Sequence, residues 1–297
     1  MEQVKSLNQI DISTEFFLIE GKGVTGYLKN LPRLRKHIKQ FDPDLIHAHY
    51  GLSGLLACLQ TKKPVITTFH GSDIHQTKNL KFSKIAIRRS VKSIFVSPKL
   101  MEIVGANEFE IPCGVDIGIF VPMDKLTAKR ALGLTQGELI VIFPATKTNP
   151  IKNYNLAKLA IDAVNLRLEQ KLKLMELKDY SREEVAVLMN ASEFVLLTSL
   201  NEGSPQVIKE AMACNVPIVS TNVGSVPKML DEVNGSYITD FGIANVTEAI
   251  EKCLRNIDEG TSSNGREILL KNQLDLESIA QKIKVIYSSV LQDNKQD

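Results

Sequence analysis

Tryptophan is absent from this 297-residue chain, aromatic residues make up only 6%, and cysteine occurs four times. Cys58, Cys113, Cys214 and Cys253 lie far apart, with no CxxC pair and no histidine at zinc-site spacing. That excludes a disulfide scaffold and reads as thiols of a reducing compartment, so a cytoplasmic location is expected. No apolar run approaches the roughly 20 residues that cross a bilayer, and the opening MEQVKSLNQIDISTEFF has no secretion-signal pattern. Charge of one sign is lacking too: 36 Lys+Arg against 34 Asp+Glu leave a formal +2, so nothing global argues for nucleic acid. With 17 Gly and 11 Pro the chain is no collagen-like or low-complexity polymer; 43% hydrophobic and 24% charged residues are globular proportions. The length is too great for one ordinary domain and suits two.

The charge is nevertheless uneven. Residues 1–123 hold 16 Lys+Arg and 11 Asp+Glu, whereas acids outnumber bases in the remainder. The basic surplus sits in two amphipathic stretches, Tyr27–Gln40 (Lys29, Arg33, Arg35, Lys36, Lys39) and Lys78–Lys92 (Lys78, Lys81, Lys84, Arg88, Lys92). Spacing of three or four residues puts such bases on one helical face. The face suits plain solvation, or peripheral contact with anionic membrane lipids or a phosphorylated acceptor.

Short apolar, β-branched runs alternate with 3.6-residue periodicity almost from end to end. Strands are expected at Glu15–Ile19, Leu45–Ala48, Val65–Thr68, Ser93–Val96 and Phe109–Ile111, then at Leu139–Pro144, Leu172–Leu177, Glu193–Leu197, Pro217–Ser220 and Ser236–Ile238. Helical patterns such as Gly54–Gln60, Asn155–Leu168, Arg182–Asn190, Gln206–Ala213 and Ile243–Arg255 lie between them, and Leu274–Leu291 closes the chain. This alternation predicts an α/β protein with parallel sheets covered on both faces. A break near Val121–Asp124 divides it into a Rossmann-like domain over 1–122, a second over 123–275, and a last helix over 276–297 expected to pack back on the first. Open sheets of this kind bind ligands beyond the carboxyl ends of their strands.

Two motifs mislead. Gly21-Lys22-Gly23-Val24-Thr25-Gly26 matches a dinucleotide GxGxxG. The next strand, however, ends His47-Ala48-His49-Tyr50-Gly51 with no acid for a ribose, and Pro32 interrupts the following helical stretch. A flexible glycine loop is therefore a better reading than an NAD-dependent oxidoreductase. Asp42-Pro43-Asp44 is a literal DxD, but it stands at the entrance of a strand and reads as a turn.

Three clusters carry chemistry. Four of the five histidines (His47, His49, His70, His75) gather with Ser72 and Asp73 just past two expected strands. His70-Gly71-Ser72-Asp73 joins a general acid/base candidate, a glycine that admits substrate to the backbone, and a hydroxyl and carboxylate suited to sugar hydroxyls; His49 is a further candidate. Histidine spacing alone allows a metal, but no carboxylate-rich set accompanies it, and none is expected. In the second domain Lys147 and Lys152 flank a loop that enters a helix near Asn153, where two surface lysines or a diphosphate site are alternative readings. Last, Asn201-Glu202-Gly203-Ser204-Pro205-Gln206 follows an apolar strand and opens a helix. Gly203 permits close approach, Pro205 suits the first turn, and the N–H groups from Ser204 to Val207 form an anion hole with Glu202 at its mouth. Glu210, on the helix itself, is placed to reach a ribose diol.

On these residues the chain resembles the retaining glycosyltransferases of family 4, which have the GT-B fold of two Rossmann-like domains facing across a cleft. Glu202 and Glu210, within EGSPQVIKEAMACNVPIVSTNVGSVPKML, look like that family's E-x7-E signature, and DLIHAHYGLSG, PVITTFHGSDI and IPCGVDIGIFVPMDK agree. The likeness runs from Asp44 to about Ile238. It implies transfer of a sugar, with retention, from a nucleoside diphosphate sugar to a saccharide or lipid-linked acceptor, in surface polysaccharide synthesis at the inner face of the membrane. Lys152 and Lys147 would bind the donor diphosphate with Gly203, Ser204, Pro205 and Gln206, and Glu210 the ribose. Glu202 and His70 would act at the reacting sugar, His49, Gly71, Ser72 and Asp73 would contact acceptor or sugar, and no metal or other cofactor is implied. The chain departs from the family pattern at its start, where a strand and glycine-rich loop are expected, and between Ala163 and Arg182, where the passage is abbreviated and the base would be read near Leu177–Tyr180. The first domain, on the acceptor side, is therefore expected to be truncated, and an impaired nucleotide-sugar-binding remnant or partner subunit is the alternative expectation.

Overall fold

The computed structural model describes residues 2–293. The chain forms two compact units: residues up to Cys113 together with those from Leu276 on, and Gly114–Asp275.

The first unit is built on a four-stranded parallel sheet, β1 (Ile46–His49), β2 (Val65–Phe69), β3 (Lys92–Phe95) and β4 (Phe109–Glu110), in that order. Every residue of β2 is buried, as a parallel strand covered on both faces requires. One face carries Ile66, Ile94 and Ile111 against Leu7, Ile279, Ile283, Ile286 and Val290, so the closing helix Leu276–Asp293 is part of this unit's core. On the other, Phe69 and Phe95 stack with ring centroids 5.0 Å apart, amid Ile74, Ala86 and Leu100. The basic stretches become the helices Leu31–Phe41 and Thr77–Arg89. Pro32 does not break the first of these; it occupies the opening turn, where its missing N–H costs nothing.

Two expectations need correction here. Glu15–Ile19 forms no regular element and joins no ladder. Phe17 and Ile19 pack on Leu34, Ile38 and Leu56, and the Asn30 side chain replaces a strand partner by bonding both the N–H and the carbonyl of Glu20. Second, the break between units falls after Cys113 rather than near Val121–Asp124. Val115 and Phe120 are fully buried in the core of the second unit. Arg266 pins the segment by donating to the carbonyls of Ile117 and Phe120, and Val115 N–H bonds Leu274 O at 3.0 Å.

The second unit holds five parallel strands, β5 (Leu139–Phe143), β6 (Leu172–Glu176), β7 (Phe194–Leu197), β8 (Ile218–Thr221) and β9 (Tyr237–Thr239), ordered β6-β5-β7-β8-β9. Side chains alternate across it. Ile140, Ile142, Val195, Leu197 and Ile218 face Leu188, Met189, Ile208 and Met212 on one side. Val141, Phe143, Phe194, Leu196 and Val219 face Ala157, Ile161 and Ile250 on the other. Strand order reverses between β5 and β7, which makes their carboxyl ends the switch point where open α/β sheets bind ligands. Both expected donor loops leave the sheet there.

Candidate active site

After β5 the chain makes a short 3₁₀ turn, Pro150–Lys152, started by Asn149, whose side chain accepts from Ile151 N–H at 3.1 Å. Asn153 follows in the left-handed region (φ 52°) and opens the helix Tyr154–Asn165. Thr198, just past β7, holds this turn in place, its hydroxyl 3.1 and 3.0 Å from the carbonyls of Lys152 and Asn153. Lys152 is thereby aimed at the β7 loop, and its Nζ lies 2.6 Å from Glu202 Oε1.

The β7 loop is braced from the next strand. Gly203 O accepts from Ser225 N–H at 2.9 Å, and Gly224 (φ +54°) lies so close that a Cβ there would stand 2.3 Å from Gly203 O. Pro205 then caps the helix Gln206–Ala213. Beneath the loop Lys209 is fully buried, with Nζ 3.4 Å from Ser204 Oγ. One turn into the helix Glu210 is almost buried, and its Oε1 is 3.3 Å from Arg182 NH1. The Arg182 guanidinium lies 4.9 Å from the centre of the Phe120 ring. These side chains surround a cavity of about 400 Å³, whose wall includes Lys152, Glu202, Gln206, Glu210 and Arg182, with Leu177 and Tyr180 at its apolar side. The volume suits a small-molecule ligand. Gln206 donates to Gly114 O at 2.6 Å, while its buried Oε1 has no partner within the protein. An orphaned buried acceptor on a cavity wall is a feature that ligand sites explain.

Lys147 is not among the residues around the cavity. Its backbone N–H donates to Glu176 Oε2 at 2.7 Å, and its exposed ammonium lies 3.8 Å from Glu176 Oε1. The acid ending β6 thus draws it off. Arg182, which the sequence reading passed over, stands in the wall instead. Its signal was available: it is a cation at the first position of a helix whose other early charges, Glu183 and Glu184, are acidic.

In the first unit the strand ends assemble an imidazole cluster. His47 is clamped between Tyr287 OH (2.6 Å from Nδ1) and Thr68 Oγ1 (2.7 Å from Nε2), and stacks on His49 with centroids 4.7 Å apart. His49 Nδ1 is 2.9 Å from His70 Nε2, and Cys113 Sγ is 3.7 Å from His70 Nδ1. Burial holds the pKa of His47 well below its ordinary range, with His49 and His70 adding to the effect; burial likewise pushes His49 down to about 4. Both rings are therefore neutral at pH 7. Tyr50, in a left-handed conformation (φ 71°, ψ 149°), sets its ring 4.6 Å from that of His70.

Asp73 has a different place from the one expected. It is buried, and its carboxylate accepts from the N–H groups of His70 (3.1 Å), Gly71 (2.9 Å) and Gly51 (3.1 Å). Burial raises its pKa, and these amides oppose the rise. Its oxygens tie the His70 turn to the start of the helix Gly51–Cys58, while Ser72 stays exposed and Gly71 takes φ +120°. Gly21 and Gly26 pack on each other: a Cβ on Gly26 would stand 3.0 Å from Gly21 C. Among the described residues no group of three or more His, Cys, Asp or Glu is placed to hold a metal ion, and no helix is long and apolar enough to cross a membrane.

Two parallel α/β units with a ligand cavity at a strand switch point are the GT-B architecture, and solved structures agree. Sucrose-phosphate synthase from Thermosynechococcus elongatus superposes with a TM-score of 0.75 over 93% of this chain and 81% of its own, at 19% identity. The HepE protein of Anabaena, in complex with UDP and glucose, gives 0.74 over 96% and 88%, at 20% identity. Residues 5–118 match the profile of Glycosyltransferase Family 4, and residues 153–256 that of Glycosyl transferases group 1. The N-acetyl-alpha-D-glucosaminyl L-malate synthase of Bacillus anthracis is 24% identical over 304 residues, spanning 85% of this chain and 76% of that protein. The chain belongs to the family 4 glycosyltransferases.

Proposed function

We propose that this glycosyltransferase moves a sugar from a nucleoside diphosphate sugar to a saccharide or lipid-linked acceptor, with retention of anomeric configuration. The observation that carries the reading is the cavity at the β5/β7 switch point, where Lys152, Glu202 and Glu210 meet around the amino end of the helix Gln206–Ala213. The complex of HepE with UDP and glucose supports a nucleotide-sugar donor.

Breaking a glycosyl–phosphate bond leaves negative charge on the diphosphate and develops positive charge at the anomeric carbon. Lys152, with the backbone N–H groups beside Gly203, Ser204 and Gln206, meets the first charge; a preplaced cation and amides in a half-dry pocket are worth several kcal/mol together. Glu202, released from Lys152 as the diphosphate takes its place, faces the second. Glu210 accepts from ribose hydroxyls. The leaving phosphate takes the acceptor's proton, so the bond to the acceptor forms on the face from which the diphosphate departs. His70 contacts the reacting sugar, and His49, Gly71 and Ser72 serve the acceptor side; Asp73 holds the turn that carries them. Lys147 has no part in this scheme. The family's bacterial setting favours surface polysaccharide synthesis at the inner face of the membrane, with the basic helices Leu31–Phe41 and Thr77–Arg89 turned to anionic lipid.

The test is sugar transfer and donor hydrolysis across a panel of UDP- and GDP-sugars, with product anomers assigned by NMR. Turnover abolished by Glu202→Gln supports the reading. Donor binding without turnover marks a binding subunit instead, and no binding of any nucleotide sugar overturns both.

A further inference from the structure

We propose that Arg182 is the residue that makes the donor site selective for a ribose-containing nucleotide, because it aims the Glu210 carboxylate. The inference rests on the donor-site reading above and adds to it a residue outside the E-x7-E pattern.

Arg182 breaks a local rule of helix charge. It is the first residue of the helix Arg182–Ala191, whose start is otherwise built for negative charge: Ser181 and Glu184 form a reciprocal capping box, and Glu183 stands beside it. A cation at that end opposes the helix dipole, and such local violations concentrate at functional sites. The side chain is also held from two directions. The guanidinium carbon lies over the ring of Phe120, fully buried in the segment that Arg266 pins, at 4.9 Å from its centre, while Glu210 takes NH1 at 3.3 Å. A guanidinium held over a buried ring has little freedom left to lose, so the carboxylate it grips is fixed as well.

That carboxylate is the useful end. An ionised glutamate offers about four acceptor directions on two oxygens, so a guanidinium on one side orients it and leaves capacity for vicinal hydroxyls. Arg182, Glu210, Tyr180 and Leu177 share one cavity with Lys152 and Glu202, where Lys152 pairs with Glu202 and Arg182 with Glu210. The Lys152 pair serves the diphosphate end, and the Arg182 pair the nucleoside end.

The experiment is titration calorimetry of the full chain with UDP and GDP and with their 2′-deoxy counterparts, on wild type, Arg182→Met, Arg182→Lys and Lys147→Met, with melting temperature as the control for folding. Wild type should favour the ribonucleotide at least tenfold, Arg182→Met should bring that preference close to one, and Lys147→Met should leave it unchanged. Arg182→Lys keeps the charge without the fork, so it should lose preference with little change in melting temperature; that variant decides the matter if the methionine variant fails to fold. A wild-type preference retained in folded Arg182→Met or Arg182→Lys overturns the inference alone. Binding of neither UDP nor GDP by the wild-type chain overturns the donor-site reading as well.

Discussion

Acid should unfold the first unit earlier than its carboxylates alone would dictate, because its imidazole stack is folded in the neutral form. The perturbation is a pH change from 7.5 to 5.0. In the unfolded chain each histidine titrates near 6.5, whereas burial pushes His49 down to about 4 in the folded protein. Between those values the unfolded state binds more protons. Stability is therefore complete above pH 6.5 and is lost as pH falls through 6.5 towards 4. For His49 the shift corresponds to at most about 2 kcal/mol at pH 5.0, approaching about 3 kcal/mol at pH 4. His47 adds in the same direction, because protonating it would put a charge between Tyr287, Thr68 and its stacked neighbour. Against a total stability of about 5–15 kcal/mol, this is a large share. The assay is urea unfolding at both pH values, followed by circular dichroism, on wild type and on His49→Gln, which keeps a hydrogen-bonding group beside His70 but cannot titrate. The variant should lose less stability than wild type between pH 7.5 and 5.0, by about 2 kcal/mol. Equal losses in the two proteins, or none in wild type, would refute the reasoning.

Other expectations are narrower. Gly224→Ala adds a Cβ 2.3 Å from Gly203 O at φ +54°; it should cost about 1–3 kcal/mol of stability and weaken UDP or GDP binding by displacing the β7 loop, both read from thermal unfolding with and without nucleotide. Unchanged values in both would show that the loop does not depend on that contact. Asp73→Asn replaces one carboxylate oxygen by an NH₂ group facing backbone donors, so about 1–3 kcal/mol of stability should go; chemical denaturation at pH 7.5 measures it. Lys152→Ala should reduce affinity for a nucleoside diphosphate more than for the bare nucleoside, and calorimetry that finds equal losses contradicts the phosphate assignment. Glu210→Ala should weaken donor binding by roughly 1.5–3 kcal/mol, the worth of a charge-assisted hydrogen bond, and an unchanged dissociation constant would exclude the ribose contact.

The two cation–acid pairs give the donor cavity its character. Neither Lys152 nor Arg182 meets it as an isolated charge: Glu202 and Glu210 keep both nearly neutralised in a half-buried wall. Burying a lone ammonium or guanidinium there would cost several kcal/mol. On the proposed reading a diphosphate would enter by exchanging partners, and the exchange would release Glu202 towards the sugar.

Along the chain, sequence was enough for whatever depends on neighbours a few residues away. Nine of the expected strands occur within a residue or two of their expected limits, Gln206–Ala213 is a helix as its periodicity and leading proline indicate, and Glu202 and Glu210 both line the cavity beside it. These are consequences of side-chain period and capping, which a linear pattern records. Sequence failed where the deciding partner is remote. Glu15–Ile19 has the composition of a strand but no neighbour to bond, and Val115–Phe120 looks like a linker but is held by Arg266 and Leu274, about 150 residues on. The bond from the Gly51 amide to the Asp73 carboxylate, which joins two loops, likewise has no trace in the sequence. Two long cations show the same dependence: Lys147 lies beside Glu176 at the end of β6, outside the cavity wall, whereas Arg182 lies in that wall beside Phe120 and Glu210. Which way a long charged side chain points is settled by the charges and rings the fold brings beside it, and that choice belongs to the tertiary structure alone.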